Sequence, residues 1–357
     1  MSDAGVAEAR SAPVFLRNLW YRAMQAKEIR PGSLRRRILL GEPVLIGRTR
    51  DGRPFAMRDI CPHRGVPLSA GRILDANIVE CAYHGWRFAT DGACKAIPSL
   101  VEGQDFDPSR IRVRLYPLCE QDGLIWVFMA APGQETAMPA IPPPKAPMAG
   151  DATPRLVLSR LFRCGMDHAV VGLMDPAHGP FVHQAWYWRS RKSIHAKAKR
   201  FAPSQRGFVM VSHSPSSNSF AYRLLGGDVS TEIRFELPGV RFEDIRAGAR
   251  QVVGLTTCTP VDGDATEVTQ TFYWNRAWLN LAKPFFLPFA RAFLDQDRAM
   301  VELQREGLKF NPPLMLIPDA DIPAMWYQRL KKAWAASVNS GQPFVNPIPE
   351  ATLRWRS

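Results

Sequence analysis

Cysteine is scarce in this chain, six residues in 357. That is too few for the disulfide framework of a small secreted scaffold. Four of the six (Cys94, Cys119, Cys164 and Cys258) stand alone and read as small buried hydrophobes. Long apolar runs are also missing, and no window approaches the roughly 20 residues of a spanning helix. Residues 1–15 lack a basic segment followed by an apolar core, so they do not read as a secretory signal. They are expected to form a flexible N-terminus, and the protein is expected in the cytoplasm. Acidic residues are outnumbered, 33 against 46 Lys and Arg, for a net charge of +13. A basic balance attracts nucleic acid, anionic lipid or an acidic protein. The basic residues are mostly scattered; the densest runs are Arg35-Arg36-Arg37 and Arg189 to Arg200. No zinc-finger, RNP-like or basic-zipper pattern accompanies them. Nucleic acid is therefore not expected as a partner, whereas an acidic protein is.

What the chain does contain is core-forming: 46% hydrophobic and 22% charged residues, the balance of a folded protein. From Trp20 to Met129 short β-like runs alternate with the turn signals Asp51-Gly52, Asp91-Gly92 and Asp122-Gly123. Residues 131–151 are dense in proline and read as a stiff, extended linker. Strand candidates follow between Gly207 and Trp274, with turns at Gly226-Gly227-Asp228 and Asp262-Gly263-Asp264. A helical pattern runs from about Phe285 to Leu308. The segment Ala277 to Phe289 is unusually apolar. Packing in the core is its simpler reading; resting on lipid or gating a greasy substrate is the other, which keeps a peripheral membrane contact open.

Two constellations carry chemistry. The first is Cys61-Pro62-His63, seventeen residues, then Cys81-Ala82-Tyr83-His84. Two thiolates and two imidazoles in two short loops form a metal site by ligand count. Zinc fingers pair Cys with Cys and His with His, whereas each loop here offers one of each. That arrangement suits a [2Fe–2S] cluster whose one iron takes both Cys and the other both His. Gly65 and Gly85 permit tight loops, and Trp86, Tyr83 and Pro67 are candidates to shield the cluster.

The second is Asp175-x2-His178-x4-His183. Five residues on a straight helix rotate the second ring by about 140°. Gly179-Pro180 between them is expected to break the helix and let the two rings converge on one ion. Two ordinary His near a helix end are the competing reading. Two His and one carboxylate on one face would leave positions free for O2 and substrate. The helix from Phe285 offers Asp297, expected to share a face with Phe286, Phe289, Phe293, Met300 and Gln304. Asp295 lies about 200° around that helix and is the fallback. His168, His195 and His213 fit neither constellation.

The first motif closely resembles that of the Rieske family, without the extra Cys that respiratory members carry in each loop. With the second motif, the chain resembles Rieske non-haem iron oxygenases of α-subunit type over nearly its whole length. The shorter monooxygenase and O-demethylase branch is nearest, with pheophorbide a oxygenase-like features. Gly172 stands where relatives often have Asn, Gly165-Met166-Asp167 replaces their Asn-Trp-Lys, and no late Cys-x2-Cys is present. The resemblance implies an α+β protein with an all-β Rieske [2Fe–2S] domain over 16–130. The linker 131–151 would lead to a catalytic domain of antiparallel sheet and helix (helix-grip, START-like) over 152–345, and a tail over 346–357. It implies that Cys61, His63, Cys81 and His84 hold the cluster and that His178, His183 and Asp297 hold a mononuclear Fe(II). Asp175 becomes a bridge to His84 of a neighbouring subunit in a homotrimer. A ferredoxin or an NAD(P)H-dependent reductase would supply electrons. O2 would be inserted into an aromatic or polycyclic hydrophobic substrate, by hydroxylation, demethylation or cis-diol formation. An electron-transfer protein with an inactive second domain is the alternative.

Overall fold

The computed structural model describes residues 15–357 apart from 137, 151, 184–193, 216–225 and 227. Most of the expected flexible N-terminus, Gly227 of the Gly-Gly-Asp turn and the start of the Arg189–Arg200 run lie outside the described residues.

Ten short strands build the first half: β1 (Leu19–Gln25), β2 (Leu34–Leu39), β3 (Glu42–Arg48), β4 (Pro54–Arg58), β5 (Arg72–Ile73), β6 (Val79–Glu80), β7 (Arg87–Phe88), β8 (Cys94–Ala96), β9 (Leu118–Gln121) and β10 (Leu124–Met129). They pair as three sheets, β1-β10-β9, β2-β3-β4 and β5-β6-β7-β8. Asp122 and Gly123 both adopt positive φ (54° and 71°), as a two-residue hairpin between β9 and β10 requires. The sheets carrying β2–β4 and β5–β8 enclose Leu45, Met57, Leu68, Val79 and Phe88, with Cys61 and Cys81 in the same cluster.

The second half is one antiparallel sheet. Its strands are β11 (Leu156–Phe162), β12 (Ala196–Ser204), β13 (Gly207–His213), β14 (Val229–Glu236), β15 (Val240–Ala247), β16 (Arg250–Pro260), β17 (Thr266–Trp274) and β18 (Ala351–Arg356). Their order is β11-β17-β16-β15-β14-β13-β12-β18. Both faces are covered, which explains why β16 and β17 carry apolar residues on both sides. One face packs Val240, Phe242, Val253, Leu255 and Tyr273 against Trp20, Trp126 and Phe128 of the first half. The other packs Leu158, Phe162, Phe235, Cys258 and Val268 beneath helices. Those helices are α1 (Met166–Met174), the single turn α2 (Gly179–Val182), α3 (Lys283–Leu308) and α4 (Ile322–Ser340). The proline-rich segment lies along the junction, where Trp20 Nε1 donates to the Ile141 carbonyl at 2.7 Å.

Three expectations change. Residues 346–357 are not a tail: β18 pairs with β12 from Ala351↔Phe201 to Arg356↔Ala196, and Leu353 is buried. Helix α4 was not anticipated, although Ala324, Tyr327, Leu330 and Trp334 form its buried stripe at helical spacing. The buried face of α3 is Ala290, Leu294, Asp297 and Val301, whereas Phe286, Phe289 and Met300 are exposed. The face assigned from sequence was thus rotated by about one residue, though Asp297 is on the buried side. Within the apolar run, Trp278, Leu281, Phe285 and Phe289 are exposed and Leu287 packs inward. Among the described residues, no helix is long and apolar enough to cross a membrane.

Candidate metal centres

The two Cys/His loops are near copies of each other. The Gly65 N–H donates to the Cys61 carbonyl at 2.9 Å, and the Gly85 N–H to the Cys81 carbonyl at 3.1 Å. Both glycines take positive φ (74° and 67°), which closes each loop tightly around its side chains. The first loop is anchored by fully buried Asp59, whose carboxylate accepts the Ser69 N–H and hydroxyl at 2.7 and 2.6 Å. The loops bring His63 and His84 to a ring separation of 4.5 Å. Trp86 stacks on His63 at 4.7 Å and 6°, and Tyr83 lies against His84 at 3.8 Å.

Four features of this pair of loops fit an iron–sulfur cluster. His63 Nδ1 is buried without a hydrogen-bond partner, which is costly for a nitrogen unless it ligates. Desolvation, followed by the nearby His63 and Arg64 charges, lowers the His84 pKa and favours the neutral ring that metals bind. Burial pushes the Cys61 thiol up to about 11, and the adjoining Cys81 adds to it. A bound cation reverses that penalty by stabilising the thiolate. Together the four side chains supply two sulfur and two nitrogen donors, the Rieske set.

The second site forms where α1 ends. Asp175 precedes Pro176, and a residue before proline is pushed to extended backbone. Asp175 accordingly has ψ 119° and terminates α1. The break therefore falls at Asp175, not at Gly179-Pro180 as the sequence suggested; Pro180 sits in the first turn of α2, where its missing N–H costs nothing. The Asp175 carboxylate accepts the Ala177 N–H at 2.7 Å and shapes the turn. His178 and His183 then flank α2 and face Asp297 from α3. Their Nε2 atoms are 3.1 Å apart, and Asp297 Oδ1 is 3.0 Å from His183 Nε2 and 3.6 Å from His178 Nε2.

The outer ring nitrogens define the chemistry of the inner ones. His178 Nδ1 lies 2.9 Å from the Asp175 carbonyl, and His183 Nδ1 lies 3.1 Å from Gln296 Oε1. Both oxygens accept, so each Nδ1 carries the proton and each Nε2 turns a lone pair inward. Two lone pairs and a carboxylate oxygen converging on one point repel unless a cation sits among them. These three residues can hold a metal, their ligand atoms all lying within 4.8 Å of one another. Burial disfavours a charged His178 ring, but the attraction of Asp175 and Asp297 outweighs it and raises that pKa. Phe293 stacks on His183 at 3.5 Å and 12°, fixing its plane.

Asp175 meets His178 through two groups at different distances. Its backbone carbonyl is the close partner and its carboxylate lies 3.6 Å from Nδ1, one third exposed. Asp295 points elsewhere, pairing with Arg160 at 2.8 Å and Arg298 at 3.4 Å. Sequence reasoning missed Gln296 and Asp59, which orient ligand-bearing elements without belonging to either motif.

Comparison with known proteins places both halves. Residues 19–117 match the family described as Rieske [2Fe-2S] domain. Residues 166–337 match the vanillate O-demethylase oxygenase C-terminal domain. The chain is 34% identical over 171 residues to dicamba O-demethylase, oxygenase component, of Stenotrophomonas maltophilia, covering 48% of each chain. It is 30% identical over 172 residues to chlorophyllide a oxygenase of Arabidopsis thaliana, covering 48% of this chain and 30% of that one. Both matches span less than half of the relative's own length. In fold, it is similar to dicamba monooxygenase bound to dicamba, with TM-score 0.69, 24% identity, and 91% and 100% of the two chains covered. It is also similar to NdmA of Pseudomonas putida CBB5 with caffeine, with TM-score 0.73, 20% identity, and 94% and 97% covered.

Proposed function

We propose that this chain, which belongs to the Rieske non-haem iron oxygenases, is the oxygenase component of an O2-using, NAD(P)H-dependent system acting on an aromatic or polycyclic hydrophobic substrate. The observation that carries the reading is the coexistence of two donor sets in one chain. A carrier needs only the Cys/His loops; the inward-facing His178, His183 and Asp297 are superfluous to it. In this reading Cys61, His63, Cys81 and His84 hold the cluster, and His178, His183 and Asp297 hold Fe(II). When bound, the cluster supplies single electrons and the Fe(II) supplies O2 activation. The chain's own part is to orient and to exclude. Gln296 and the Asp175 carbonyl hold the two imidazoles in one tautomer, and Phe293 shields the inner His183 from water. Asp175 is assigned as the bridge to His84 of a neighbouring copy in a trimeric ring, and a ferredoxin or reductase as the electron source. The relatives named for O-demethylation support monooxygenation by methyl-group hydroxylation. A cytoplasmic location and a linker over 131–151 complete the reading.

Metal content tests it first. Purified protein should be brown and hold about three Fe per chain, against about two for a bare electron carrier. Reduction should give a Rieske EPR signal at a potential of roughly −150 to +300 mV. With a reductase, NADH and O2 consumption should rise with some member of a panel of methoxy-aromatics, sterols and polycyclics. A colourless zinc protein overturns the reading.

A further inference from the structure

We propose that the start of α3, with the turn that precedes it, rests on an anionic lipid surface. The proposal goes beyond the oxygenase reading and does not depend on it, since that reading concerns the metal centres.

Helical spacing builds the contact strip. Trp278 lies in a 3-10 turn (Ala277–Asn280), and Leu281 and Ala282, both in helical backbone, carry that turn into α3. Steps of three and four residues lead from Trp278 to Leu281, Phe285 and Phe289, which sets all four on one side. All four are exposed, Leu281 and Phe285 to 80% and 73%. Leu287 and Ala290, about half a turn away, belong to the core. Single exposed apolar residues are ordinary, but four in a line form a patch that marks a contact. The strip is also held firmly: Phe286 meets Phe272 of β17 edge-on at 5.1 Å and 89°, which ties the helix to the sheet.

Charge decides what covers the strip. No Asp or Glu occurs between Glu267 and Asp295, whereas Arg276, Lys283 and Arg291 all fall in that interval. Arg276 and Arg291 are exposed, and Lys283 lies over the Trp274 ring at 5.6 Å. Arg276, two residues before Trp278, lines a shallow cleft with Arg250 and Asp228, where cations outnumber carboxylates. Asp295, the first carboxylate beyond the strip, is paired with Arg160 and Arg298. The result is an apolar line with a cationic border.

A second copy of the chain is a poor occupant, because it brings its own net charge of +13 against that border. An anionic bilayer supplies both halves of the match, acyl chains for Leu281, Phe285 and Phe289 and headgroups for the arginines. Trp278 suits the boundary, where an indole keeps its ring in the apolar layer and its N–H in the wet one. The helix would lie flat, its apolar side sunk by about 5–10 Å. Such a contact needs no spanning segment.

Co-sedimentation of the full chain with vesicles tests this, with circular dichroism and light scattering reporting the fold and assembly of each variant. At low salt the protein should pellet with phosphatidylcholine vesicles containing about one quarter phosphatidylglycerol, and about tenfold less with phosphatidylcholine alone. Phe285→Ser and Leu281→Ser should each weaken the partition by about tenfold. Arg276→Gln combined with Arg291→Gln should weaken it by about tenfold and flatten its salt dependence. Val101→Ser removes a comparably exposed apolar side chain beside Glu102 in the first half and should change nothing. Wild type that stays in the supernatant of anionic vesicles overturns the proposal. Pelleting that is indifferent to Phe285→Ser and Leu281→Ser does so too, because it would reflect net charge alone. A Phe285→Ser chain that falls from oligomer to monomer would make the strip an interface between copies and overturn the lipid assignment. Vesicle binding with the expected dependence by a protein that holds no iron would remove the oxygenase reading and keep this one. A three-iron protein that ignores vesicles would do the reverse.

Discussion

Asp295 and Asp297 are two residues apart on α3 and live in opposite surroundings. Asp297 is buried against two imidazoles, whereas Asp295 is partly exposed between two arginines, which hold its carboxyl below the usual range, Arg160 chief among them. Asp297→Ala should cut iron from about three to about two per chain and abolish turnover, leaving the cluster spectrum intact. Asp295→Ala removes a surface pair worth at most about 1 kcal/mol and should leave iron content unchanged. The reverse pattern, read by metal analysis, would move the third ligand to Asp295. Gln296 makes a finer test. Gln296→Leu removes the acceptor that fixes the His183 tautomer and should weaken Fe(II) affinity by about 10- to 100-fold, measured by metal titration. At this scale the sequence was most informative where residue type alone demands chemistry, as with an Asp on a buried helix face or paired Cys and His. Gln296 carries no such demand; only its distance to His183 Nδ1 reveals it.

Elements were legible in proportion to how local their causes are. The α3 pattern and the Asp122-Gly123 hairpin follow from nearby residues. Strand β18 does not: Ala-Thr-Leu-Arg-Trp-Arg becomes a strand because β12 offers an edge some 150 positions earlier. Leu353 is its buried anchor, so Leu353→Ala should destabilise the protein by about 2–4 kcal/mol in urea unfolding. A true tail would show no change. The junction between the two halves is equally non-local. Glu267 of β17 accepts from Arg22 of β1 at 3.0 Å and from Arg37 of β2 at 2.7 Å. Burial lowers the Arg22 pKa despite the opposing charge of Glu267. Glu267→Ala leaves that cation buried without its carboxylate and should cost about 3–5 kcal/mol. Loss confined to a surface-pair value would mean that the junction is wetter than the packing of Arg22 against Thr269 indicates.

At the scale of the whole molecule, the outward-facing parts of the two metal centres need explaining together. Asp175 keeps a third of its side chain exposed although its backbone carbonyl already orients His178. A carboxylate is not needed for that local role, so its charge is available to a donor from outside the chain. His84 is also partly exposed, at the rim of the other centre, beneath exposed Tyr83. If one copy's Asp175 meets the next copy's His84, the contact is head-to-tail, and a closed ring is the finite assembly such a contact makes. Light scattering should then give a trimer. Asp175→Ala and Asp175→Asn should each retain both metals and lose turnover, since neither side chain keeps the charge. A His84 variant should also be inactive. Mixing an Asp175 variant with a His84 variant pairs an intact Asp175 with an intact His84 at about one quarter of the contacts in randomly assembled rings. Activity should therefore return to about that fraction of wild type, whereas defects confined to single chains would give none. An active monomer would show that the two centres communicate within one chain and that Asp175 serves only the turn that ends α1.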